Sequence, residues 1–443
     1  MADLSINFAG IKAPNPFWLA SGPPTNSGYQ VMRAFDAGWG GAVWKTMGIP
    51  VINVSSRYGA VNYRDTRMAG FSNIELISDR PLKDNLNEFE EVKKHFPNHA
   101  LIASLMVQSR KEWHQIVTDV QNAGADGLEL NFSCPHGMCE RGMGSAVGQE
   151  PEVLQTITSW VMEVAKIPVI VKLTPNISDI TEPAQAARRG GANAVSLINT
   201  IQSLIGVDID RFVTFPVVGT QSTNGGYCGP AVKPIALNMV KNCAKHPSVQ
   251  LPISGIGGIE NWRDAVEFIL VGASSVQVCT SVMHYGFGII RDLKSGLERY
   301  MDEKGFKTVN EMVGKALPNI TAWEHLDLEY KIVANISNEK CIGCQLCYIA
   351  CEDGAHQAIE LSADIQNRTP KINEDNCVGC NLCSLVCPVE GCIMMIRKDD
   401  GSKTITWHER TEARNIPTTF DDPLAGGLAH HIPHPTEALK RHK

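Results

Sequence analysis

LIASLMVQSRKEWHQIVTDVQNAGADGLELNFS, residues 101–133, decides the fold. A short apolar run, Leu101–Met106, is followed by a helical pattern over Glu112–Ala123. A Gly-Ala step, Gly124-Ala125, then leads into a second apolar run, Gly127–Ser133. Glycine after a helix supplies the left-handed cap that lets the chain turn back. Working outward, the same unit recurs. Further strands are predicted at Phe17–Ala20, Ala42–Lys45, Pro168–Leu173, Ala194–Thr200, Pro252–Gly258 and Ser275–Thr280, making eight. Further helices are predicted at Pro151–Ala165, Ile180–Arg189 and Trp262–Val271, with Gly190-Gly191-Ala192 and Gly272-Ala273 repeating the step. Strand–helix alternation implies a parallel sheet. Eight such units in under 300 residues suit an α/β fold of the (β/α)8 TIM-barrel type. The alternative is an open doubly wound sheet, but the G-x-G-x-x-G turn expected after its first strand is missing.

Residues 1–300 are therefore assigned to a catalytic barrel, with residues 5–17 as a hairpin under its floor. Residues from about 285 look mainly helical, and 301–335 form a helical connector. Residues 336–398 make a small α+β ferredoxin-like domain. Residues 399–443, rich in Pro, His and Gly, form an extended C-terminal tail. His430, His431, His434 and His442 in that tail could bind a metal, although short His-rich tails are often simply solvated.

The chain has 443 residues, a net charge of −7 and 14 cysteines. No basic tract suggests a nucleic-acid partner. No apolar run reaches about 18 residues, so no membrane span is expected. The N-terminus, MADLSINFAG, lacks the regions of a signal peptide. The cysteine content then implies a reducing, cytoplasmic setting.

Eight of the cysteines form two copies of one spacing. Cys341, Cys344, Cys347 and Cys351 read C-x2-C-x2-C-x3-C, and Cys377, Cys380, Cys383 and Cys387 repeat it, followed by Pro388. This is the ligand spacing of two [4Fe–4S] clusters, in which the fourth cysteine of each run serves the other cluster. One cluster is assigned Cys341, Cys344, Cys347 and Cys387; the second takes Cys377, Cys380, Cys383 and Cys351. Glu352 stands where a proline is usual. Zinc sites favour paired knuckles, and disulfide frameworks belong to small secreted chains. Cys392 lies outside the motif and is expected to be a core thiol. Gln357–Leu361 and Cys392–Ile396 are the expected strands of this domain.

In a barrel, chemistry gathers at the C-terminal ends of the strands. These ends carry Ser21, Lys45, Thr46, Asn131, Ser133, Lys172, Asn199, Thr200, Gly257, Gly258, Thr280 and Ser281. Two lysines among Asn, Thr and Gly imply an anionic, polar ligand. Gly257-Gly258 after the seventh strand and Thr280-Ser281 after the eighth fit a phosphate. Lys45 and Lys172 suit the electron-rich edge of a reduced flavin.

The strings NIELIS (73–78), NFSCPHGMCERGMG (131–144), KLTPN (172–176), Asn199-Thr200 and NGGYCGPAVKPIAL (224–237) resemble those of the dihydropyrimidine dehydrogenase family. Its barrel is of the dihydroorotate dehydrogenase type. The resemblance covers the barrel and the cysteine-rich domain, and is to the bacterial form, in which an FMN/iron–sulfur subunit pairs with a separate subunit. It implies FMN contacted by Ser21, Lys45, Thr46, Lys172, Gly229, Ile256, Gly257, Gly258, Cys279 and Thr280. It implies uracil or thymine held by Asn73, Glu75, Asn131, Phe132, Ser133, Asn199 and Thr200. Phe132 stands where Leu is more frequent, and Cys228 where Ser is common. The expected partner is a FAD- and NAD(P)H-binding iron–sulfur subunit in a heterotetramer.

On this reading Cys134 is the general acid, protonating C5 while FMN delivers hydride to C6. The loop Cys134–Gln149, with Gly137, Gly142, Gly144 and Gly148, suits a lid; Cys139 within it is incidental. Glu75 contacts flavin or substrate, or braces the rim. Two other functions are open: a dihydroorotate dehydrogenase-type enzyme, or an electron-transfer module whose barrel is only a scaffold.

Overall fold

Short runs of β-branched and aliphatic residues, buried on both faces, become the strands of a parallel barrel, as expected where helices cover the outside. In the computed structural model these are β1 (Phe17–Leu19), β2 (Gly41–Val43), β3 (Ala100–Leu105), β4 (Gly127–Asn131), β5 (Val169–Lys172), β6 (Ala194–Leu197), β7 (Ile253–Ile256) and β8 (Ala273–Val278). They pair in sequence order and close β8 on β1, all parallel. The structure describes residues 2–135, 142–362, 369–398, 401 and 403–413. The chain divides into two compact units, Met1–Asn319 and Ile320–Lys443.

The barrel helices start where the sequence offers caps. Arg110–Asn122 opens on a reciprocal Ser109/Glu112 capping box, and Trp262–Leu270 on an Asn261/Asp264 box; each pair satisfies orphan N–H groups of the first turn. Pro151–Met162 and Thr181–Arg189 are the other two expected helices. Beneath the barrel, Ile6–Phe8 pairs antiparallel with Ile11–Ala13, and Phe8 packs edge-on against Trp18 of β1 with ring centroids 5.5 Å apart.

Two loops leave the barrel to build something the sequence reading did not contain. Tyr58–Tyr63 and Thr66–Asn73 follow β2; Ile201–Ser203 and Gly225–Cys228 follow β6. Together they form a four-stranded antiparallel sheet, in the order 201, 225, 66, 58. These strands carry glycine and polar residues and bury few of their side chains, so they lack the buried periodicity that betrays a strand.

The expected helical connector over 301–335 is not what forms. The last barrel helix ends at Lys304 on a left-handed Gly305, and short 3-10 turns follow at Val309–Glu311, Leu317–Asn319 and Trp323–His325. Ile332–Ile336 is a strand, because its β-branched run pairs antiparallel with Ile393–Arg397. A second small ladder joins Ile359–Glu360 to Lys371–Ile372. Each cysteine run is followed into a short helix, Leu346–Gly354 and Leu382–Leu385, across the left-handed residues Gln345 (φ 63°) and Asn381 (φ 68°). The repeat seen in the cysteine spacing is thus also a repeat of backbone conformation. The tail is not wholly extended: Trp407–Ala413 is helical, and Trp407 packs against Trp323 within the second unit. The four tail histidines lie outside the described residues. Among the described residues, no helix is long and apolar enough to cross a membrane.

Candidate active site and iron–sulfur sites

The C-terminal ends of the strands and the overlying sheet enclose a cavity of about 1170 Å³, its open mouth included. Most of the residues expected from the sequence line it. From the barrel come Ser21, Lys45, Thr46, Asn131, Cys134, Lys172, Asn199, Thr200, Ile256, Gly257, Gly258, Cys279 and Thr280. The two loops carrying the sheet contribute Asn73 and Glu75, after β2, and Gly229, after β6.

Along one side runs a chain of uncharged hydrogen bonds. Ser21 Oγ lies 3.2 Å from Thr46 Oγ1, which accepts from Asn131 Nδ2 at 2.9 Å. Ser133 Oγ donates to Asn131 Oδ1 (3.0 Å) and accepts from Asn199 Nδ2 (2.7 Å); the Thr200 N–H donates to Asn199 Oδ1. Asn73 Nδ2 donates to the Gly226 carbonyl, tying it into the sheet. Three amides and a threonine are thereby fixed with donor and acceptor capacity to spare.

Two expected residues do not line the cavity. Phe132 is buried with its ring edge-on to Trp113, centroids 5.9 Å apart, and serves the barrel wall instead. The reason is alternation: Asn131 points into the mouth, so its neighbour points away. Ser133 is fully buried and works through Asn131 and Asn199, which it braces.

Both lysines are buried and paired. Lys45 Nζ lies 2.9 Å from Glu75 Oε1, which Arg57 approaches at 3.2 Å; Tyr58 donates its phenol to Glu75 Oε2 at 2.9 Å. Lys172 Nζ lies 3.4 Å from Glu129 Oε1, on the strand next door. Arg57, Tyr58 and Glu129 were not anticipated. Glu129 had left a signal, a lone acid between Leu128 and Leu130 in the middle of an apolar strand.

At the other end, the β7 loop is shaped for close approach. Gly258 has φ 74°, and a Cβ there would stand 2.8 Å from Lys233 Cβ and 2.9 Å from the Gly229 carbonyl. Only a glycine fits, which leaves the local N–H groups accessible to an anion. Cys279 and Cys228 sit close by; Thr280 Oγ1 donates to Cys228 Sγ at 3.3 Å. Burial pushes their thiols up, Cys279 to about 12 and Cys228 to about 11, so both stay neutral at physiological pH. The cations, amides and glycine cradle fit a flavin phosphate and ring.

Cys134 lines the cavity within a small apolar cluster of Val51, Ile77, Met106 and Met143. The returning loop reaches it through Gly144 (φ 62°), where a Cβ would lie 2.7 Å from the Cys134 carbonyl oxygen. Ser145–Gly148 then forms one helical turn. Gly137 and Cys139 of the expected lid lie outside the described residues.

In the second unit the cysteines surround two small cavities. One, about 310 Å³, is lined by Cys341, Cys344, Cys347 and Cys387, with Cys392 beside them. The other, about 360 Å³, is lined by Cys351, Cys377, Cys380 and Cys383. The fourth cysteine of each run therefore faces the other run's cavity. Among the described residues, no three His, Cys, Asp or Glu side chains stand close enough to hold a single metal ion. Each quartet offers the four sulfurs that a [4Fe–4S] cluster takes. Burial pushes the Cys347 thiol up to about 11 and raises Cys383, so a compensating cation is needed to make them thiolates.

The dihydroorotate dehydrogenase family model matches residues 3–301, and a 4Fe-4S dicluster domain model matches residues 334–395. The chain is 46% identical over 393 residues to the Escherichia coli (strain K12) NAD-dependent dihydropyrimidine dehydrogenase subunit PreA. That alignment covers 88% of this chain and 95% of the relative. The chain belongs to the PreA-type dihydropyrimidine dehydrogenase subunits. It is also 45% identical over 340 residues to the chloroplastic dihydropyrimidine dehydrogenase (NADP(+)) of Arabidopsis thaliana, covering 74% of this chain and 79% of that protein. With the catalytic subunit of dihydroorotate dehydrogenase B (NAD(+)) from Thermococcus kodakarensis it shares 38% identity over 325 residues, 72% of this chain and 99% of that protein. As the family and both domain matches require, the chain is a flavin/iron–sulfur oxidoreductase.

Proposed function

We propose that this chain reduces uracil and thymine to their 5,6-dihydro forms, and that Cys134 supplies the proton. The observation that carries the reading is the uncharged amide array facing the same cavity as a thiol and two lysines. A pyrimidine base carries carbonyls and N–H groups in one plane. Asn73, Asn131, Asn199 and Thr200 match such an edge without adding charge. Ser133 holds two of those amides at fixed orientation, so little ordering cost remains on binding. A thiol at the cavity wall can place a proton on C5. The apolar cluster around Cys134 keeps water from competing for that proton.

The bound cofactor is FMN, held by Ser21, Lys45, Thr46, Lys172, Gly229, Ile256, Gly257, Gly258, Cys279 and Thr280. It supplies hydride to C6 and bridges two-electron chemistry to single-electron carriers. Two [4Fe–4S] clusters occupy the cysteine quartets and carry the single electrons. The partner is a FAD- and NAD(P)H-binding iron–sulfur subunit, in a heterotetramer located in the cytoplasm; the Escherichia coli relative is itself named a subunit. The role is pyrimidine catabolism.

The dihydroorotate alternative is disfavoured by charge. Orotate brings a carboxylate, whereas Lys45 and Lys172, the cations among the described cavity-lining residues, already face Glu75 and Glu129. The test is turnover by the purified chain under anaerobic conditions. With a viologen donor it should reduce uracil, with NADH alone it should not, and orotate should be turned over far more slowly. Equal turnover of orotate would overturn the assignment, as would a chain lacking flavin, iron and sulfide.

A further inference from the structure

The two lysines of the cavity are countered in different ways. Lys45 meets its carboxylate, Glu75, at the rim, where Arg57 adds a second cation. Lys172 meets Glu129, which is fully buried inside the barrel. Glu129 belongs to a buried polar network inside the barrel, drawn from β4, β6, β7 and β8. Its Oε2 accepts from Ser196 Oγ of β6 at 2.8 Å and from Gln277 Nε2 of β8 at 3.0 Å. Gln277 also reaches Ser254 Oγ of β7 at 3.3 Å, and Ser275 Oγ of β8 donates to Ser254 Oγ at 2.8 Å. Gln277 and Lys172 line the cavity, while Glu129 lies one layer beneath. An ionisable group so deep is costly to keep, and the surrounding donors and the lysine offset that cost.

We infer that Glu129 is a positioning residue that fixes Lys172 and sets the reduction potential of the bound flavin. The inference rests on the flavin occupying this cavity. A cation beside a flavin favours the reduced form, which carries negative charge. A carboxylate 3.4 Å from that cation cancels part of its field, and at this depth water screens little. Glu129 therefore holds the potential down. A lower potential makes the flavin a stronger hydride donor while keeping Lys172 in place to orient it. Ser196 and Gln277 lock the carboxylate, so the counter-charge stays put through turnover.

The test is spectroelectrochemical titration of the flavin in the full chain, comparing wild type with Glu129→Gln and Glu129→Asp. The amide keeps the shape and still accepts from Ser196, but loses the charge. Its reduced-to-oxidised ratio at a fixed applied potential should rise about tenfold, an upward shift of about 30 mV for a two-electron couple. The aspartate keeps the charge but withdraws it, so a smaller shift of the same sign is expected. An unchanged or lowered potential in Glu129→Gln overturns the inference. If that variant does not fold, Glu129→Asp decides alone: an upward shift supports the inference and a wild-type potential overturns it. A wild-type chain that purifies without flavin is a different failure, that of the cavity's assignment.

Discussion

The two units of this chain are held together by different means. The barrel unit buries a continuous apolar core that includes Phe8 of the floor hairpin, Trp18 of the first strand and Leu297 and Met301 of the last helix. Among the described residues, the core cluster of the second unit has eight buried members, and four of them are cysteines: Cys347, Cys351, Cys383 and Cys392. A core so small supplies little hydrophobic stabilisation of its own, and units of this size usually need a metal or a cross-link. The barrel's site is therefore formed before any ligand arrives, while the second unit takes much of its stability from what its cysteines bind. The sharpest way to break this contrast is to strip the iron. A chelated or oxygen-damaged chain should lose the folded signal of residues 320–413 altogether while the barrel keeps a cooperative thermal transition. Calorimetry or hydrogen exchange on the two units would check it. A single transition that disappears on iron removal would show that the barrel is not autonomous.

If the barrel site is preformed, its chemistry can be removed without disturbing its cofactor. Cys134→Ala should lower uracil reduction by about 10²–10⁴-fold, the usual worth of a positioned general acid, with flavin content and barrel stability close to wild type. Stopped-flow reduction with a viologen donor checks both at once. Cys134→Ser should fall between the two, since a hydroxyl can occupy the place but gives up its proton less readily than a thiol. A fall of only about twofold would move the proton source elsewhere.

How much of this was legible beforehand follows the same division. The barrel strands could be placed because they are short apolar runs, several of them entered through a Gly-Ala step after a helix, and the cluster cysteines because their spacing is specific to one kind of ligand. The sheet over the mouth was not legible. Tyr58–Tyr63 is largely exposed and Gly225–Cys228 opens on two glycines, so neither alternation nor hydrophobicity marks them. Arg57 and Tyr58 were missed for the same reason: they meet Glu75 only after the sheet has folded back, a contact no local pattern encodes. Phe132 was misplaced because its ring turns onto Trp113 of the barrel wall, while Asn131 and Cys134 on either side of it line the cavity. The connector was misread as helical because Ile332–Ile336 is a strand only in partnership with Ile393–Arg397, some sixty residues on.

A smaller effect is expected at the glycine cradle. Gly258→Ala places a methyl 2.8 Å from Lys233 Cβ at a residue held at φ 74°. Strain of this kind costs about 1–3 kcal/mol, and relief requires the loop after β7 to move away from the Gly229 carbonyl. Flavin affinity should drop about 10–100-fold, as that free energy implies, while the apo barrel stays folded. Fluorescence titration of FMN into the apo chain measures it directly. Unaltered affinity would show that the anion does not lie against this turn.

The smallest effect sharpens the comparison at the rim, where the preformed site meets the added sheet. Tyr58 donates to Glu75 at 2.9 Å, and Glu75 in turn pairs with Lys45. Tyr58→Phe removes one hydrogen bond to a carboxylate that keeps Arg57 and Lys45. Because Tyr58 is more than a third exposed (38%), the loss should be about 1 kcal/mol, the worth of an ordinary hydrogen bond and less than that of a buried bond to a charged group. That corresponds to about fivefold in kcat/KM for uracil. The pH dependence separates this donor role from a titrating one. Burial and the negative charge of Glu75 both push the Tyr58 phenol up. A raised acid remains protonated below its ordinary value of about 10, so the hydrogen bond is present throughout the neutral and mildly alkaline range. The ratio of wild-type to Tyr58→Phe activity should therefore be flat from about pH 6 to 9. A ratio that collapses within that window would mean the phenol ionises in the native state, and that Glu75 is not its partner when the enzyme works.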